Sequence, residues 1–213
     1  MTRRRLALAA PRSDMSGFPA WRVDKRRALY RAHHASVSPW WFASNGDGRF
    51  DLDEPCGTCY VALDRGTALR ERLGPRIVAA DAVPISLLDD AVVSRLHLPA
   101  SRRVADVTAE AATAFGVTRE INTTTRYDIT QQWASAWHEL SLGGVRYAAR
   151  FSTGSDALAV GLFGDAGVGA WPVDANAVPA ADVARSAGLV GESPPRKKSL
   201  TWEPAPVAPG VSR

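Results

Sequence analysis

Residues 57–71 read GTCYVALDRGTALRE, and this stretch joins a strand to a helix through a short turn. The apolar run Tyr60-Val61-Ala62-Leu63 predicts a strand that lies in the core. Asp64-Arg65-Gly66 predicts the turn, and a helix is expected from Thr67 to the Gly74-Pro75 pair that ends it. This helix carries a glutamate, Glu71, one turn after its predicted start.

Outside this stretch, the hydrophobic pattern predicts strands and helices in a mixed order. Strands are expected at 76–80, 103–107, 145–150 and 158–163, and helices at 86–96, 108–115 and 129–140. The helix at 129–140 is the clearest, because Ile129, Trp133 and Trp137 recur at helical spacing. Since strands and helices do not alternate strictly, the sequence predicts an α+β fold.

The domain organisation is expected to be simple. The chain has 213 residues, 46% of them hydrophobic, which suffices for one sizeable core but not for a second full domain. Residues 1–20 show no clear period and predict a flexible N-terminal arm. The folded domain is expected at 21–187, and the proline-rich segment 188–213 predicts a disordered tail.

Charge and hydropathy limit the classes of partner. The net charge is +4, but the excess basic residues form short runs near the two ends, which are usually solvated. No recognition-helix or stacking motif accompanies them, so nucleic-acid binding is not expected; steeply salt-dependent binding to DNA or RNA would indicate this alternative. No apolar run approaches the roughly 20 residues of a membrane span, so a soluble cytoplasmic protein is expected.

The two cysteines, Cys56 and Cys59, form a Cys-x-x-Cys pair that allows three interpretations. A redox pair normally opens a helix, whereas these cysteines lead into a strand. A zinc site would need two more ligands, and the adjacent His33 and His34 point to opposite faces of a strand. A structural role is therefore favoured, and no metal is predicted.

The order of several short motifs resembles that of the RES domain family. The first half matches in residues 29–31 (LYR), 46–50 (GDGRF), 57–63 (GTCYVAL) and 67–71 (TALRE). The second half matches in residues 130–133 (TQQW), 143–147 (GGVRY) and 157–163 (ALAVGLF). The resemblance covers about residues 28–164.

One position departs from the family pattern. The family serine usually follows the tyrosine by two residues, and here that position is Ala149 in the run Tyr147-Ala148-Ala149-Arg150. Ser152 is the nearest substitute. Two interpretations stay open: Ser152 replaces the missing serine, or it is an ordinary loop serine.

The resemblance implies a fold and an activity. RES domains resemble ADP-ribosyltransferases, with a split central β-sheet, surrounding helices and an NAD⁺ cleft. By this resemblance the chain is expected to be the toxin of a bacterial toxin–antitoxin pair, with NAD⁺ as substrate and a cognate antitoxin as partner. The implied reactions are phosphorolysis to ADP-ribose-1″-phosphate, with inorganic phosphate as co-substrate, hydrolysis, or ADP-ribosyl transfer to a protein. No metal or prosthetic group is implied.

The residue types at the matching positions suit this chemistry. Arg31 and Arg49 can hold the pyrophosphate, and Tyr30 or Tyr60 can pack on nicotinamide. Glu71 can stabilise positive charge on the ribose, and the hydroxyl of Ser152 can bind a phosphate or ribose oxygen.

Other interpretations stay open beside this one. A domain without the family serine could bind a nucleotide or a partner without turning it over, or could use NAD⁺ in a biosynthetic pathway. Trp40 and Trp41 could wall a nucleotide pocket or belong to a packed core loop. His33 and His34 could touch a phosphate or be ordinary core or surface residues.

Overall fold

The structure, a computed structural model, describes residues 8–77 and 82–193. Strands and helices occur in mixed order along the chain. The strands are β1 Ala20–Val23, β2 Leu29–His34, β3 Trp41–Phe42, β4 Cys56–Ala62, β5 Ala82–Pro84, β6 Ala91–Leu96, β7 Arg102–Asp106, β8 Gly144–Ala148, β9 Leu158–Asp165, β10 Gly167–Val168, β11 Val178–Pro179 and β12 Val190–Glu192. The α-helices are α1 Arg65–Leu73, α2 Tyr127–Glu139 and α3 Ala180–Ser186, and the 3₁₀ helices are Gly74–Ile77, Ile85–Leu87, Glu110–Phe115 and Arg119–Asn122.

A central eight-stranded sheet has the order β1-β7-β8-β9-β4-β2-β6-β11, and β10-β3 and β12-β5 form small two-stranded sheets. Within the central sheet β7 and β8 are parallel, and the other neighbours are antiparallel. The predicted mixture of helices with a large central sheet is confirmed. None of the helices in the described ranges is long and apolar enough to cross a membrane.

The central sheet is continuous on either side of one weak junction. β4 pairs with β9 from Cys56 to Ala62, and β2 pairs with β6 along the whole of Leu29–His34. Between β2 and β4, however, only Tyr30 and Ala62 are in register. The sheet therefore opens between these two strands.

Both faces of the sheet are covered by apolar side chains. On β9, Ala159 and Phe163 face a cluster that contains Trp133 and Trp137 of α2, whereas Val160 and Leu162 face the opposite cluster. This alternation has the two-residue period of a strand. A third cluster packs α1 and α3 against the β6 side of the sheet.

Most of the strands and helices expected from the sequence are present. The predicted strand at 60–63 overlaps the end of β4, which begins earlier and stops at Ala62, and the predicted helices after Thr67 and at 129–140 correspond to α1 and α2. The strands expected at 103–107, 145–150 and 158–163 correspond to β7, β8 and β9. The helix expected at 108–115 is a 3₁₀ helix over Glu110–Phe115.

The helix predicted at 86–96 is wrong, because most of this segment is strand β6. The β-branched pair Val92 and Val93 lies inside it, with Val93 buried and Arg95 exposed. Pairing with β2 on one side and β11 on the other outweighs the helical spacing of its leucines. Of the strand expected at 76–80, residues 76 and 77 belong to a 3₁₀ helix and 78–80 lie outside the described ranges.

The folded part extends beyond the predicted limits of 21–187. In the segment expected to be a flexible arm, Leu8, Met15 and Phe18 are buried, and the indole of Trp133 donates a 2.8 Å hydrogen bond to the carbonyl of Ala9. At the other end, β12 pairs with β5. The flexible-arm prediction therefore fails for residues 8–20, and residues 1–7 and 194–213 lie outside the described ranges.

Helix α1 has a defined cap at each end. Asp64 has extended backbone angles, and its Oδ1 accepts a 2.8 Å hydrogen bond from the amide of Thr67. Gly74 ends the helix with a φ of +56°, a conformation that favours glycine. These caps fix the length of the helix that carries Glu71.

We expect Asp64→Ala to lower the free energy of unfolding by about 1 kcal/mol, because an amide of the first turn loses its acceptor. Urea denaturation followed by circular dichroism measures this change. Asp64→Asn keeps a capping oxygen and should stay close to the wild type. Equal losses in the two variants would contradict the capping role.

Candidate active site

A cavity of about 400 Å³ lies where the sheet opens between β2 and β4. This volume falls within the range of small-molecule sites. The wall is formed by both strands, α1, the loop before Phe50, and aromatic side chains from other elements. The lining side chains used below are Tyr30, Arg31, Asp47, Arg49, Tyr60, Glu71, Arg72, Tyr127, Tyr147 and Phe151.

The cavity brings together five of the six residues predicted from the sequence: Tyr30, Arg31, Arg49, Tyr60 and Glu71. The sixth, Ser152, lines a separate surface groove, and Phe151 lies between the two because it lines both.

Arg49 is a buried cation at the cavity wall, with only 8% of its surface exposed. Its guanidinium lies 5.9 to 6.0 Å from the ring centroids of Phe50, Tyr127 and Tyr147. Such distances permit cation–π attraction. Its Nε is buried and has no hydrogen-bond partner among the described residues. A buried donor without an acceptor is costly, so an anionic ligand would stabilise this arrangement.

The loop that carries Arg49 is fixed by hydrogen bonds from neighbouring elements. On α2, Thr130 donates to the carbonyl of Arg49, and the Gln131 amide donates to the carbonyls of Gly46 and Gly48 at 2.8 and 2.9 Å. On β4, the hydroxyl of Thr58 donates to the carbonyl of Phe50 at 2.7 Å. The position of Arg49 is therefore set by β4 and α2 together.

Tyr60 and Asp51 also hold the loop that carries Arg49 in place. The Tyr60 hydroxyl donates to Asp51 Oδ1 and accepts from the Phe50 amide, both at 2.8 Å, and Asp51 Oδ2 accepts from the Gly48 amide at 2.9 Å. A Cβ at Gly48 would lie 2.1 Å from Asp51 Oδ1, so this position requires glycine. Burial raises the pKa of Tyr60 well above its ordinary value and also raises the pKa of Asp51.

Arg31 spans the gap between the strands. Its Nη1 lies 2.9 and 2.8 Å from the carbonyls of Pro39 and Trp41, and 2.7 Å from Cys59 Sγ on β4. No bond from its Nη2 or Nε to a described residue is found. Arg31 thus connects β2 to β3 and β4 and is also one of the residues that line the cavity.

Both cysteines are free thiols, and Cys59 is fully buried beside Arg31. Burial raises the pKa of the Cys59 thiol. In the described ranges, no group of three or more His, Cys, Asp or Glu side chains is arranged to hold a metal ion.

Glu71 supplies a carboxylate to the same cavity. Its Oε1 accepts a 2.8 Å hydrogen bond from the Phe151 amide. Burial raises the pKa of Glu71, although the Phe151 amide and Arg49 act in the opposite direction. Arg72 also lines the cavity, and its pKa is lowered by burial and by the nearby Arg76 and Arg31. Three arginines therefore face two carboxylates, Glu71 and Asp47, around one cavity.

Several lining residues were missed in the sequence. Tyr147 is only 4% exposed, and burial raises the pKa of its hydroxyl. The sequence signal for Tyr147 was its place in the GGVRY run. Alternate residues of a strand share a face, so the residues of this run can be assigned to the two sides of the sheet. Arg72 directly follows Glu71, but neither it nor Tyr127 nor Phe151 has a motif of its own.

The remaining candidate residues lie elsewhere. Trp40 is fully buried against Phe42 and Trp171, which agrees with a packed core loop, and Trp41 is 44% exposed. Neither lines the cavity. His33 is buried and its Nε2 lies 2.8 Å from Ser94 Oγ, whereas His34 is exposed.

Comparison with known proteins identifies the family and the fold of this chain. The model of the RES domain family matches residues 19–181. No curated protein matches the chain significantly. Among solved structures, a chain of the M. tuberculosis MbcT–MbcA toxin–antitoxin complex superposes with a TM-score of 0.58 at 15% identity, over 75% of this chain and 87% of that chain. At this identity the superposition shows a shared fold only.

We expect Tyr60→Phe to lower the free energy of unfolding by about 1–3 kcal/mol, because Asp51 and the Phe50 amide both lose a buried partner. Tyr147→Phe is the matched control, since the Tyr147 hydroxyl makes no hydrogen bond to a described residue. Urea denaturation of the two variants tests this difference. Equal destabilisation would show that the Tyr60 hydroxyl has no special supporting role.

The raised pKa of Glu71 predicts a pH dependence of stability. The folded protein holds the Glu71 proton more tightly than the unfolded chain, so this stabilisation is complete below the ordinary pKa of 4.5 and is lost as pH rises through the folded pKa. Glu71→Gln is neutral at every pH and lacks this loss. The difference between the unfolding free energies of the wild type and Glu71→Gln should therefore become smaller or more negative as the pH rises from 4 to 8. An increase of this difference would contradict a raised pKa of Glu71.

Proposed function

The chain belongs to the RES domain family, and from this we propose that it is an NAD⁺-consuming enzyme that cleaves the bond between nicotinamide and ribose. The observation that carries the proposal is the single cavity that brings buried Arg49, Arg31, several aromatic rings and Glu71 together. NAD⁺ combines a pyrophosphate, a flat cationic ring and a sugar, and each has a chemically matching group in this cavity.

Arg49 and Arg31 are assigned to the pyrophosphate. A guanidinium binds phosphate oxygens through charge-assisted hydrogen bonds, and Arg49 lines the cavity with a buried Nε that has no partner among the described residues. Arg31 can contribute only the nitrogens that do not hold Pro39, Trp41 and Cys59. We therefore expect Arg49 to contribute more to affinity than Arg31.

The tyrosines offer ring faces for nicotinamide and ribose. The Tyr60 hydroxyl is already hydrogen-bonded to Asp51 and to the Phe50 amide. Tyr60 is therefore assigned two roles: its ring packs on the ligand, and its hydroxyl holds the loop in place. Tyr30 also lines the cavity, and the Arg65 guanidinium lies 5.3 Å from its ring centroid.

Glu71 is assigned to the reacting carbon. As the bond from the ribose to nicotinamide breaks, nicotinamide leaves with the electron pair and positive charge develops on the sugar. An ionised carboxylate in a water-poor cavity stabilises that charge. In phosphorolysis a phosphate oxygen then forms the new bond, giving ADP-ribose-1″-phosphate; in hydrolysis water takes its place.

We further propose an ADP-ribosyltransferase-like arrangement for the sheet. The single registered pair between β2 and β4 supports this, because the sheet is divided there and the cavity lies at the division. A solved structure with the same fold comes from a toxin–antitoxin complex, which supports a toxin role for this chain and a cognate antitoxin as its partner.

Incubation of the purified protein with NAD⁺, with and without inorganic phosphate, tests the reaction. Nicotinamide release and the mass of the sugar product are followed together. Phosphate-dependent release of an ADP-ribose phosphate would support phosphorolysis, and phosphate-independent release would support hydrolysis or transfer to protein. Binding of NAD⁺ without release would instead indicate a non-catalytic module, and a different product would indicate biosynthetic use.

We expect Glu71→Gln to lower the rate of nicotinamide release by about 10² to 10³-fold, because the side chain keeps its size and loses its charge. The matched control is Glu139→Gln, which changes an exposed glutamate at the end of α2. Retention of full activity in Glu71→Gln would exclude the assigned role of Glu71.

A further inference from the structure

Cys56 and His138 form a thiol–imidazole pair outside the cavity. The Sγ atom of Cys56 lies 3.6 Å from Nε2 of His138. Cys56 is half-buried at the start of β4, and His138 is exposed in the last turn of α2. Neither residue lines the cavity. Reagents in solvent can therefore reach this pair without entering the proposed NAD⁺ site.

The ring of His138 is held beside the thiol by Phe163. The two ring centroids are 5.9 Å apart at an interplanar angle of 89°, an edge-to-face contact that stabilises the position of the imidazole. Phe163 is buried on β9, the strand that pairs with β4. An imidazole nitrogen within reach of a thiol can take its proton, and the resulting thiolate is the nucleophilic form of cysteine. The pair therefore has the parts of a reactive thiol.

Cys59 cannot form a disulfide with Cys56 in the folded chain. Cys56 packs against the cluster that contains Trp133 and Trp137, whereas Cys59 lies in the cluster on the other face of the sheet. Three steps along a strand separate their Cα atoms by about 10 Å. A disulfide spans no more than about 7 Å between Cα atoms. A disulfide that reacts with Cys56 therefore leaves a mixed disulfide that Cys59 cannot displace.

The charges near Cys56 are mainly negative. Asp165 lies directly opposite Cys56 in the pairing of β4 with β9, and its side chain is exposed. Three more exposed carboxylates are close to Cys56 or His138 in sequence: Asp53, Glu54 and Glu139. Arg12 lines a surface cleft with two of them, so the carboxylates outnumber this cation. A surface of this sign attracts cationic reagents and repels anionic ones.

We propose that Cys56 is a covalent modification site that exchanges with small cationic disulfides, with His138 as the proton acceptor. His138 Nε2 takes the proton of the thiol, and Cys56 Sγ attacks one sulfur of the disulfide. A new S–S bond forms as the old one breaks, and the departing thiolate takes the proton back from His138. Cys56 is oxidised and the small disulfide is reduced to one free thiol, so no other oxidant is needed. The proposal does not depend on turnover of NAD⁺.

Treatment of the full folded chain with cystamine, followed by intact-mass measurement and peptide mapping, tests the site. We expect one cysteamine adduct, on Cys56, because Cys59 is fully buried. Cys56→Ala should remain unmodified. Exchange at Cys56 should also be faster than exchange of N-acetylcysteine amide, a neutral free thiol. Modification mainly at Cys59, or exchange at Cys56 no faster than that of the free thiol, overturns the proposal.

His138→Ala tests the proton acceptor. We expect exchange at Cys56 to slow by at least about tenfold, because the base is lost. Added imidazole should restore the rate in this variant, since it can occupy the vacated space and accept the proton. His34→Ala, which removes an exposed histidine of β2, should react like the wild type. An unchanged rate in His138→Ala, or a loss that imidazole does not restore, overturns the assigned role of His138.

A comparison of cystamine with 3,3′-dithiodipropionate tests the charge preference, because the two disulfides are similar in size and opposite in charge. Each rate is divided by the rate of the same disulfide with N-acetylcysteine amide, which removes the difference in intrinsic reactivity. At low ionic strength this ratio should be about tenfold higher for cystamine, and salt should reduce the difference. Equal ratios, or a higher ratio for the anionic disulfide, overturn the proposed preference for cations.

Discussion

The structure depends on one junction at which two strands of the central sheet meet through a single residue pair. Beyond Tyr30 and Ala62, β2 and β4 part, and the cavity occupies the space that opens. A gap in a sheet removes backbone partners, and the polar groups beside it must be satisfied by other means. Arg31 of β2 links the two strands in another way, since its side chain contacts Cys59 on β4 and also donates to the carbonyls of Pro39 and Trp41. The same arginine therefore keeps the sheet together where it is open and lines the cavity that results.

The second constraint is the set of hydrogen bonds that holds the loop carrying Arg49. A buried guanidinium in the open part of a sheet would be mobile if only its own loop held it. Here the loop is held by Thr58 and Tyr60 of β4 and by Thr130 and Gln131 of α2. A rigid scaffold of this kind allows a charged group to be positioned before the ligand arrives, which increases its contribution to catalysis.

The sequence predicted those parts of the structure that depend on local patterns. α1 has cap residues at both ends, α2 has helical spacing of large aromatic side chains, and β4 and β9 are apolar runs, so each was recognisable. β6 was misassigned because its position between β2 and β11, which is a tertiary property, decides its conformation. Burial of Leu8 and Phe18 depends on α2, more than a hundred residues later, so no local sequence pattern predicts it. Of the five candidate residues that meet in the cavity, Tyr60, Glu71 and Arg49 lie on predicted elements or the tight loop, whereas Tyr30 and Arg31 were found through the order of the family motifs. Ser152 follows a strand end, where a shift of one or two residues changes which concavity it faces.

The contacts of the first described residues bear on the order in which the protein forms during synthesis. The amide of Leu8 donates to Glu120 Oε2, and the carbonyl of Ala9 accepts from the indole of Trp133. The partners of this segment are therefore translated after more than half of the chain. Until α2 leaves the ribosome, the cluster around Phe18 and Trp137 cannot close, and the nascent chain exposes apolar surface at its N-terminal end. A protein of this topology completes its core late in translation, which leaves a period in which a chaperone or another partner can engage the unfinished chain.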